Sequence, residues 1–159
     1  MSRDEFTTHV KAEQEELRRF LLALCCGNRD EADDIAQESL VKAYLSSGNY
    51  TDEGKFAAWL YRIAYRTFLD HNRKNSRTRP LEQAMNVCDT GREADRAFQY
   101  QELYVALKGL PEQERTALLL FYIKGYSVRE ISHIIDSSED AVKKQLSRGR
   151  DHLKSRMTR

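Results

Sequence analysis

Apolar residues recur at spacings of three and four along almost the whole chain, the pattern of helices with one buried face. No run of alternating β-branched residues, which would predict a strand, interrupts it. Gly and Pro are scarce, with 7 and 2 residues in a chain of 159. The sequence therefore predicts an all-α protein.

Three helices are predicted in the first half of the chain. The first runs from about Thr8 to Cys26, the second from Asn28, which can cap it, to about Leu45, and the third from about Lys55 to Lys74. Their predicted buried positions are Leu17, Phe20, Leu21, Leu24, Ile35, Ala36, Leu40, Val41, Tyr44, Phe56, Leu60, Ile63, Ala64 and Phe68.

The third helix has a cationic side that is separate from its apolar side. At about 100° per residue, one stripe about 60° wide holds Lys55, Trp59, Arg62, Arg66, Arg73 and, if the helix extends that far, Arg77. Tyr61 and Tyr65 flank this cationic stripe. Aromatic rings stack on exposed bases while guanidinium groups hold phosphates, so the mixture favours single-stranded or distorted nucleic acid. The alternative is an ordinary amphipathic helix with its aromatic residues in the core.

A linker is predicted at residues 78–97, which carry turn-forming residues, mixed charges and few apolar positions. It divides the chain into domains at residues 1–77 and 98–159. The second domain begins with a helix over residues 98–108 and should contain four helices.

The last three helices predict a helix-turn-helix DNA-binding unit. Pro111 opens the first of them and Gly125 closes it, the segment 127–130 (Ser-Val-Arg-Glu) is a capping box for the second, and the third starts at about Ser138. From residue 141 to 159 there are seven Lys/Arg and one acid, Asp151. Cations confined to one helix favour groove binding over the alternative, a plain bundle with a solvated face.

Charge alternates along the chain although the formal net charge is only +1. Lys/Arg and Asp/Glu number 6 and 10 in residues 1–45, 7 and 3 in 46–80, 4 and 7 in 81–115, and 9 and 5 in 116–159. Two cationic surfaces between acidic ones predict two nucleic-acid contacts. Among the acids at the start of the second helix, Asp34 and Glu38 are spaced so that they repel each other, which favours a cationic protein partner.

Other function classes find little support in the sequence. The four histidines match no zinc-ligand spacing and no glycine-rich phosphate loop occurs, so no enzyme, metal, cofactor or small-molecule substrate is expected.

Three cysteines, at positions 25, 26 and 88, form no CxxC pair and are interpreted as reduced, buried thiols. No apolar stretch approaches a membrane span and no signal-peptide core follows Met1, so we expect a cytoplasmic protein without membrane insertion.

Four motifs together resemble those of the extracytoplasmic-function (ECF) sigma factors, the smallest bacterial sigma-70-type initiation factors, and they occur in the family's order. They are Asp33-Asp34-Ile35-Ala36-Gln37-Glu38, Trp59-Leu60-Tyr61-Arg62-Ile63-Ala64, Asp70-His71-Asn72-Arg73, and the segment from Leu110-Pro111 through Ser127-Val128-Arg129-Glu130-Ile131 to Val142-Lys143-Lys144-Gln145-Leu146-Ser147-Arg148-Gly149-Arg150. The resemblance implies a region 2-like bundle and a region 4-like four-helix domain, joined by a flexible linker.

The resemblance also implies partners and residue roles. The partners are core RNA polymerase, through its β′ coiled coil and β flap, promoter DNA, and an anti-sigma factor. Residues implied to dock on the β′ coiled coil are Asp33, Asp34, Gln37 and Glu38. Those implied at the melted minus-10 strand are Asn49, Tyr50, Trp59, Arg62, Tyr65, Arg66, Arg73 and Arg77. Those implied at the minus-35 duplex are Ser138, Lys143, Lys144, Ser147 and Arg148.

Some positions depart from the family's pattern. Tyr65-Arg66 stands where Arg-Asn is expected, Asp136 replaces a turn Gly, and Ala141 replaces a Thr. Two other functions fit part of this pattern: a dimeric helix-turn-helix repressor and a protein-only adaptor. A repressor that binds only duplex does not need the cationic and aromatic helix of the first domain, and an adaptor leaves the cations of the last helix unused.

Overall fold

The computed structural model describes residues 1–50, 54–78 and 94–157, with side chains omitted for 75–78 and 94–100. Helices form these parts of the chain, with a short 3-10 turn at Ser47–Asn49. The helices are α1 (Arg3–Leu24), α2 (Arg29–Ser46), α3 (Phe56–Thr78), α4 (Ala94–Lys108), α5 (Glu112–Tyr122), α6 (Val128–Ile135) and α7 (Glu139–Met157). The fold class predicted from the sequence is confirmed.

The first domain packs α1, α2 and α3 around one apolar core. Fully buried side chains there include Leu17, Phe20, Leu21, Leu24, Ile35, Leu60 and Phe68. α1 begins at Arg3, earlier than predicted, because the side chain of Ser2 accepts a hydrogen bond from the Glu5 N–H at 3.2 Å. The predicted cap of α2 is confirmed, since Asn28 Oδ1 accepts from the Glu31 N–H at 3.2 Å.

The buried face of α2 differs from the prediction. Val41 and Tyr44 were predicted to be buried, but they are 59% and 48% exposed. Small residues line the side of the helix that meets α1 and α3, namely Ala32, Ala36, Ser39 and Ala43. Small side chains let the three helices approach closely, so the larger apolar residues fall on the outer face.

The second domain contains the predicted helix-turn-helix. Both hydrogen bonds of the Ser127 and Glu130 capping box are present, each at 3.1 Å. α6 ends at Ile135, and its C-cap Asp136 has a φ of 56°, the left-handed conformation that Asp tolerates better than most residues. The Ser138 hydroxyl then accepts from the Ala141 N–H at 3.1 Å and caps α7. Pro111 precedes α5 as its N-cap and is not its first helical residue, a small correction.

The two domains are packed against each other, with α3 on α6 and α1 on α5. Arg115 of α5 is buried, and its guanidinium donates to the carbonyl oxygens of Leu24 at 2.9 Å, Leu107 at 3.0 Å and Leu110 at 3.1 Å. Leu24 ends α1 and Leu107 lies at the end of α4, so the cation sits at the negative ends of two helices. This contact fixes α1 of the first domain to α5 of the second.

Cys25 and Cys26 are buried, and burial raises the pKa of the Cys25 thiol well above its ordinary value, as expected for an unreactive core residue. Cys88, like most of the predicted linker, lies outside the described residues. Among the helices that the structure describes, none combines the length and hydropathy needed to cross a bilayer.

Candidate nucleic-acid interface

The outer face of α7 carries the predicted duplex-binding residues. Val142 and Leu146 point into the domain and are buried. Around them the exposed positions of the predicted set are Ser138, Lys143, Lys144, Ser147 and Arg148. α7 is held close to α5, because a Cβ added at Gly149 would lie 2.9 Å from Leu118 Cδ1. The helix-turn-helix therefore presents a firmly seated cationic helix to solvent.

An aromatic pair lies beside the cationic stripe of the first domain. The rings of Tyr50 and Trp59 are stacked, with centroids 4.4 Å apart and an interplanar angle of 23°. The centroid of the Phe56 ring lies 5.6 Å from that of Trp59, with the two rings tilted by 50°. Tyr50 directly follows the 3-10 turn that includes exposed Asn49, so the turn places it against α3. We call Tyr50 and Trp59 the aromatic shelf.

The charged residues of the cationic stripe differ in their surroundings. Arg66 and Arg73 are exposed. Arg62 Nη1 donates to the carbonyl oxygen of His133, in α6 of the other domain, at 3.0 Å. α3 runs to Thr78, so Arg77 belongs to the helix, while its side chain lies outside the described residues. One end of the stripe thus faces the second domain and the other faces solvent.

A narrow cleft separates the aromatic shelf from α6. It has a volume of about 230 Å³ and is lined on one side by Tyr50, Lys55, Ala58, Trp59 and Arg62, and on the other by His133 and Ile134. Trp59 is half-buried in this position. The shelf therefore borders a cleft between the domains and is only partly accessible.

Tyr61 and Tyr65 are the clearest correction to the site. Both were expected to flank the cationic stripe with accessible rings, but Tyr61 is 0% and Tyr65 4% exposed. Tyr61 packs edge-on against Phe20 at 5.0 Å and Tyr126 at 6.0 Å. Burial raises the pKa of Tyr65, and the nearby Glu112 carboxylate of the second domain adds to the effect. The angular positions of residues on α3 predict which face they lie on, but they do not show which parts of α3 the second domain covers.

The acidic end of α2 is largely open to solvent. Asp33, Asp34 and Gln37 are exposed, while Glu38 is half-buried and lies 3.4 Å from Lys42 Nζ. Helical spacing places Val41 and the 76% exposed Leu45 on the same outer face as Asp34. Sequence reasoning missed this apolar continuation because it assigned Val41 to the core.

A polar cluster that the sequence did not predict joins the two domains near Tyr61. Lys124, in the segment between α5 and α6, contacts the carboxylates of Glu16 and, at 3.5 Å, Glu13 on α1. Its Nζ lies 5.1 Å from the centroid of the Tyr61 ring. The hydrogen bond from Lys124 lowers the pKa of Glu16. A single Lys beside Gly125 belongs to no periodic pattern, which is why no sequence signal marks it.

Comparisons with known families and proteins cover both domains. The sigma-70 region 2 family matches residues 9–78, and the sigma-70 region 4 family matches residues 100–153. The ECF RNA polymerase sigma factor SigW of Bacillus subtilis (strain 168) is 31% identical over 145 residues, covering 82% of this chain and 78% of SigW. The ECF RNA polymerase sigma factor SigM of the same organism is 32% identical over 142 residues, covering 86% of this chain and 85% of SigM.

Two solved structures share the fold. The sigma factor RpoE from Bartonella quintana, in complex with the anti-sigma factor NepR, has a TM-score of 0.79 at 23% identity, covering 96% of each chain. CnrH, in complex with the cytosolic domain of CnrY, has a TM-score of 0.74 at 21% identity, covering 97% of this chain and 88% of CnrH. The all-helical arrangement seen here is thus shared with both.

Proposed function

The chain belongs to the extracytoplasmic-function subfamily of sigma-70-type RNA polymerase sigma factors, promoter-specific initiation factors that are not enzymes, and from that premise we propose how it reads a promoter. Its second domain binds the minus-35 element as duplex, and its first domain captures the melted minus-10 strand. The observation that carries the proposal is one chain with two different cationic surfaces, an exposed helix face on α7 and an aromatic and cationic stripe along α3.

α7 is the duplex reader in this proposal. Lys and Arg side chains on an exposed helix reach phosphates and the major-groove edge of guanine, and each good base contact contributes about 1–3 kcal/mol of discrimination. Lys143, Lys144, Ser147 and Arg148 have the required exposure. The Ser138 hydroxyl caps α7 by accepting the Ala141 N–H, which fixes the start of the helix that carries these side chains.

The aromatic shelf is the strand-capturing element. Stacking on an aromatic ring contributes about 1–3 kcal/mol per base and holds a melted strand open, since every base has a π face. Trp59 and Tyr50 supply rings, and Arg66 and Arg73 supply cations for phosphates along the same helix. Asn49 lies beside the shelf, where a base turned out of the stack would lie. Arg62 and Arg77 complete the proposed set, and Tyr65, which the sequence analysis included in it, is left out because its ring is buried.

The exposed face of α2 is the proposed polymerase-docking surface. Asp33, Asp34, Gln37 and Glu38 present carboxylate and amide groups to a cationic helix of the β′ coiled coil, and the second domain meets the β flap. RpoE and CnrH are each in a complex with another protein, named in the first case as an anti-sigma factor. We propose that an anti-sigma factor restrains this chain as well. We also propose that the chain acts in the cytoplasm.

Reconstitution with core RNA polymerase tests the proposed function. The purified chain should co-migrate with bacterial core enzyme, and the holoenzyme should select two-element sites from random DNA and start transcription at them. Core enzyme without the chain is the control. A chain that fails to co-migrate with core, and that gives no transcript on any selected template, would refute the proposal.

A further inference from the structure

An acidic side chain lies on the outer face of α7, among the cations that the proposed function assigns to the minus-35 duplex. Asp140 is exposed, and so are Lys144 and Ser147. At about 100° per residue, Asp140 lies about 40° from Lys144 and about 20° from Ser147 around the helix. The buried Val142 lies about 160° away from Asp140, toward the core. Asp140 therefore belongs to the surface that faces DNA in the proposed function.

Asp140 is also at the end of α7 that reaches the bases. In helix-turn-helix proteins the N-terminal residues of the recognition helix contact base edges in the major groove. Asp140 is the second residue of α7, and Ser138 caps this end of the helix. Four residues separate Asp140 from Lys144, or about 6 Å along the helix axis, which is the length of about two base pairs. The two side chains can thus contact bases that are close neighbours in the same element.

No contact within the protein accounts for this carboxylate. Among the residues that the structure describes, the Asp140 side chain has no ion pair and no hydrogen-bond partner. An acid in the first turn of a helix is favourable because of the helix dipole, but the adjacent Glu139 already supplies one. A carboxylate that faces DNA is repelled by the phosphates. The position of Asp140 is therefore unfavourable for DNA binding unless a base offers it a hydrogen-bond donor.

The four bases differ in what they offer a carboxylate in the major groove. Cytosine presents only a donor, its N4 amino group. Guanine and thymine present acceptors, which repel a carboxylate, and adenine presents its N6 amino donor beside the N7 acceptor. Asp and Glu therefore pair with cytosine, whereas Asn pairs with adenine through both N6 and N7. The chemistry of an Asp on this face selects cytosine.

We propose that Asp140 is a specificity-determining residue of the minus-35 contact, and that it selects cytosine by accepting a hydrogen bond from the N4 amino group in the major groove. The selected cytosine lies within about two base pairs of the base that Lys144 contacts. Asp140 also rejects guanine and thymine, because their acceptors face its carboxylate. This inference rests on the proposed function, because it names a base bound by the same duplex-binding surface.

The test compares the bases selected by holoenzymes reconstituted from core RNA polymerase and either the wild-type chain or Asp140→Asn. The DNA library is randomised across the minus-35 segment of a promoter selected with the wild-type chain and is fixed elsewhere. Wild-type holoenzyme should prefer cytosine to guanine or thymine at one position by about tenfold, as expected for a base contact. Asp140→Asn should change the preference at that position to adenine and leave the other positions unchanged. Lys144→Ala locates the neighbouring contact, because the preference that it loses should lie within about two base pairs.

Two controls carry the same change in charge. Glu139→Gln alters the adjacent acid, which lies about 100° away around the helix. Asp151→Asn alters an exposed acid on the same face as Asp140, but about 16 Å further along the axis. Both controls should keep the cytosine preference, and any gain in affinity from the lost charge should be equal for all bases. An equal gain for all four bases in Asp140→Asn would overturn the inference, because the acid would then act only by repelling phosphates.

A second variant covers the case in which Asp140→Asn loses its helical circular-dichroism signal. Asp140→Ala introduces the residue with the highest helix propensity, and it should lose the cytosine preference without gaining one for adenine. A holoenzyme that initiates at two-element promoters but shows no cytosine preference, or keeps it in both Asp140 variants, refutes the cytosine contact alone. A chain that does not bind core enzyme refutes the proposed function, and the cytosine contact with it.

Discussion

Side chains two residues apart have opposite surroundings on α7. Val142 and Leu146 are buried, while Lys144 and Arg148 lie in solvent. The buried pair fixes how the helix is rotated, and that rotation determines which cations can reach a base edge. In the proposed function, the residues on the outer face of α7 select the DNA sequence, while those on its inner face stabilise the fold.

Replacing Lys144 or Arg148 with Ala should weaken transcription from the native minus-35 sequence by about tenfold or more, since a lost base contact costs about 1–3 kcal/mol. Binding to core polymerase should not change, because neither residue lies on α2. The measurement is in vitro transcription on native and scrambled minus-35 templates, with Lys11→Ala as control. An equal loss on both templates would show that these residues only clamp phosphates.

Arg115 shows how one buried cation serves the whole structure. Its guanidinium hydrogen-bonds to carbonyls at the ends of α1 and α4, where helix dipoles are negative. Arg115→Ala leaves those carbonyls without their donor, so we expect the free energy of unfolding to fall by about 3 kcal/mol. Urea denaturation followed by circular dichroism measures it.

The matched control for Arg115→Ala is Arg129→Ala, an exposed position on α6. Its effect on unfolding should stay within about 0.5 kcal/mol. A loss for Arg115→Ala no larger than that of the control would contradict the assigned role.

At the scale of elements, local sequence predicts where the helices begin and end, but it does not predict which face of α2 is buried. Three such features depend only on a few neighbouring residues and were predictable: the N-cap of α2, the capping box of α6 and the left-handed Asp136. The buried face of α2 depends on how closely α1 and α3 approach, so Val41 was placed in the core wrongly. A large apolar residue does not mark the buried face of a helix when small residues on another face let the neighbouring helices approach more closely.

The exposed face of α2 leads to a prediction about polymerase. Asp34→Arg should lower the affinity for core enzyme by about tenfold or more, because like charges across an interface oppose docking. Asp4→Arg on α1 carries the same change in charge at an exposed position and should bind normally. A fluorescence titration of each labelled variant with core enzyme measures these affinities. Equal affinities for the two variants would remove α2 from the interface.

At the scale of the whole molecule, the sequence predicted two domains with separate cationic surfaces, but it contained no signal for their contact. Tyr61 and Tyr65 illustrate the reason: Tyr61 packs against Tyr126, between α5 and α6, and Tyr65 lies near Glu112 of α5, and both partners are remote in sequence. Lys124 likewise forms its ion pairs with Glu13 and Glu16 on α1, more than 100 residues earlier in the chain. Periodicity describes one helix at a time, whereas contacts between domains follow from their joint arrangement.

The two family matches show a sigma factor with regions 2 and 4, and the function proposed for it has a single chain bind promoter DNA as duplex at one place and as separated strand at another. A duplex-only repressor needs neither the aromatic shelf nor a second DNA contact.

The most direct test is a footprint of the reconstituted holoenzyme on a selected promoter, combined with permanganate probing of unpaired thymines. The account predicts two protected segments about 25 base pairs apart, with permanganate-reactive thymines only in the downstream one, and loss of that reactivity in Trp59→Ala. One continuous or palindromic footprint without unpaired thymines would contradict it.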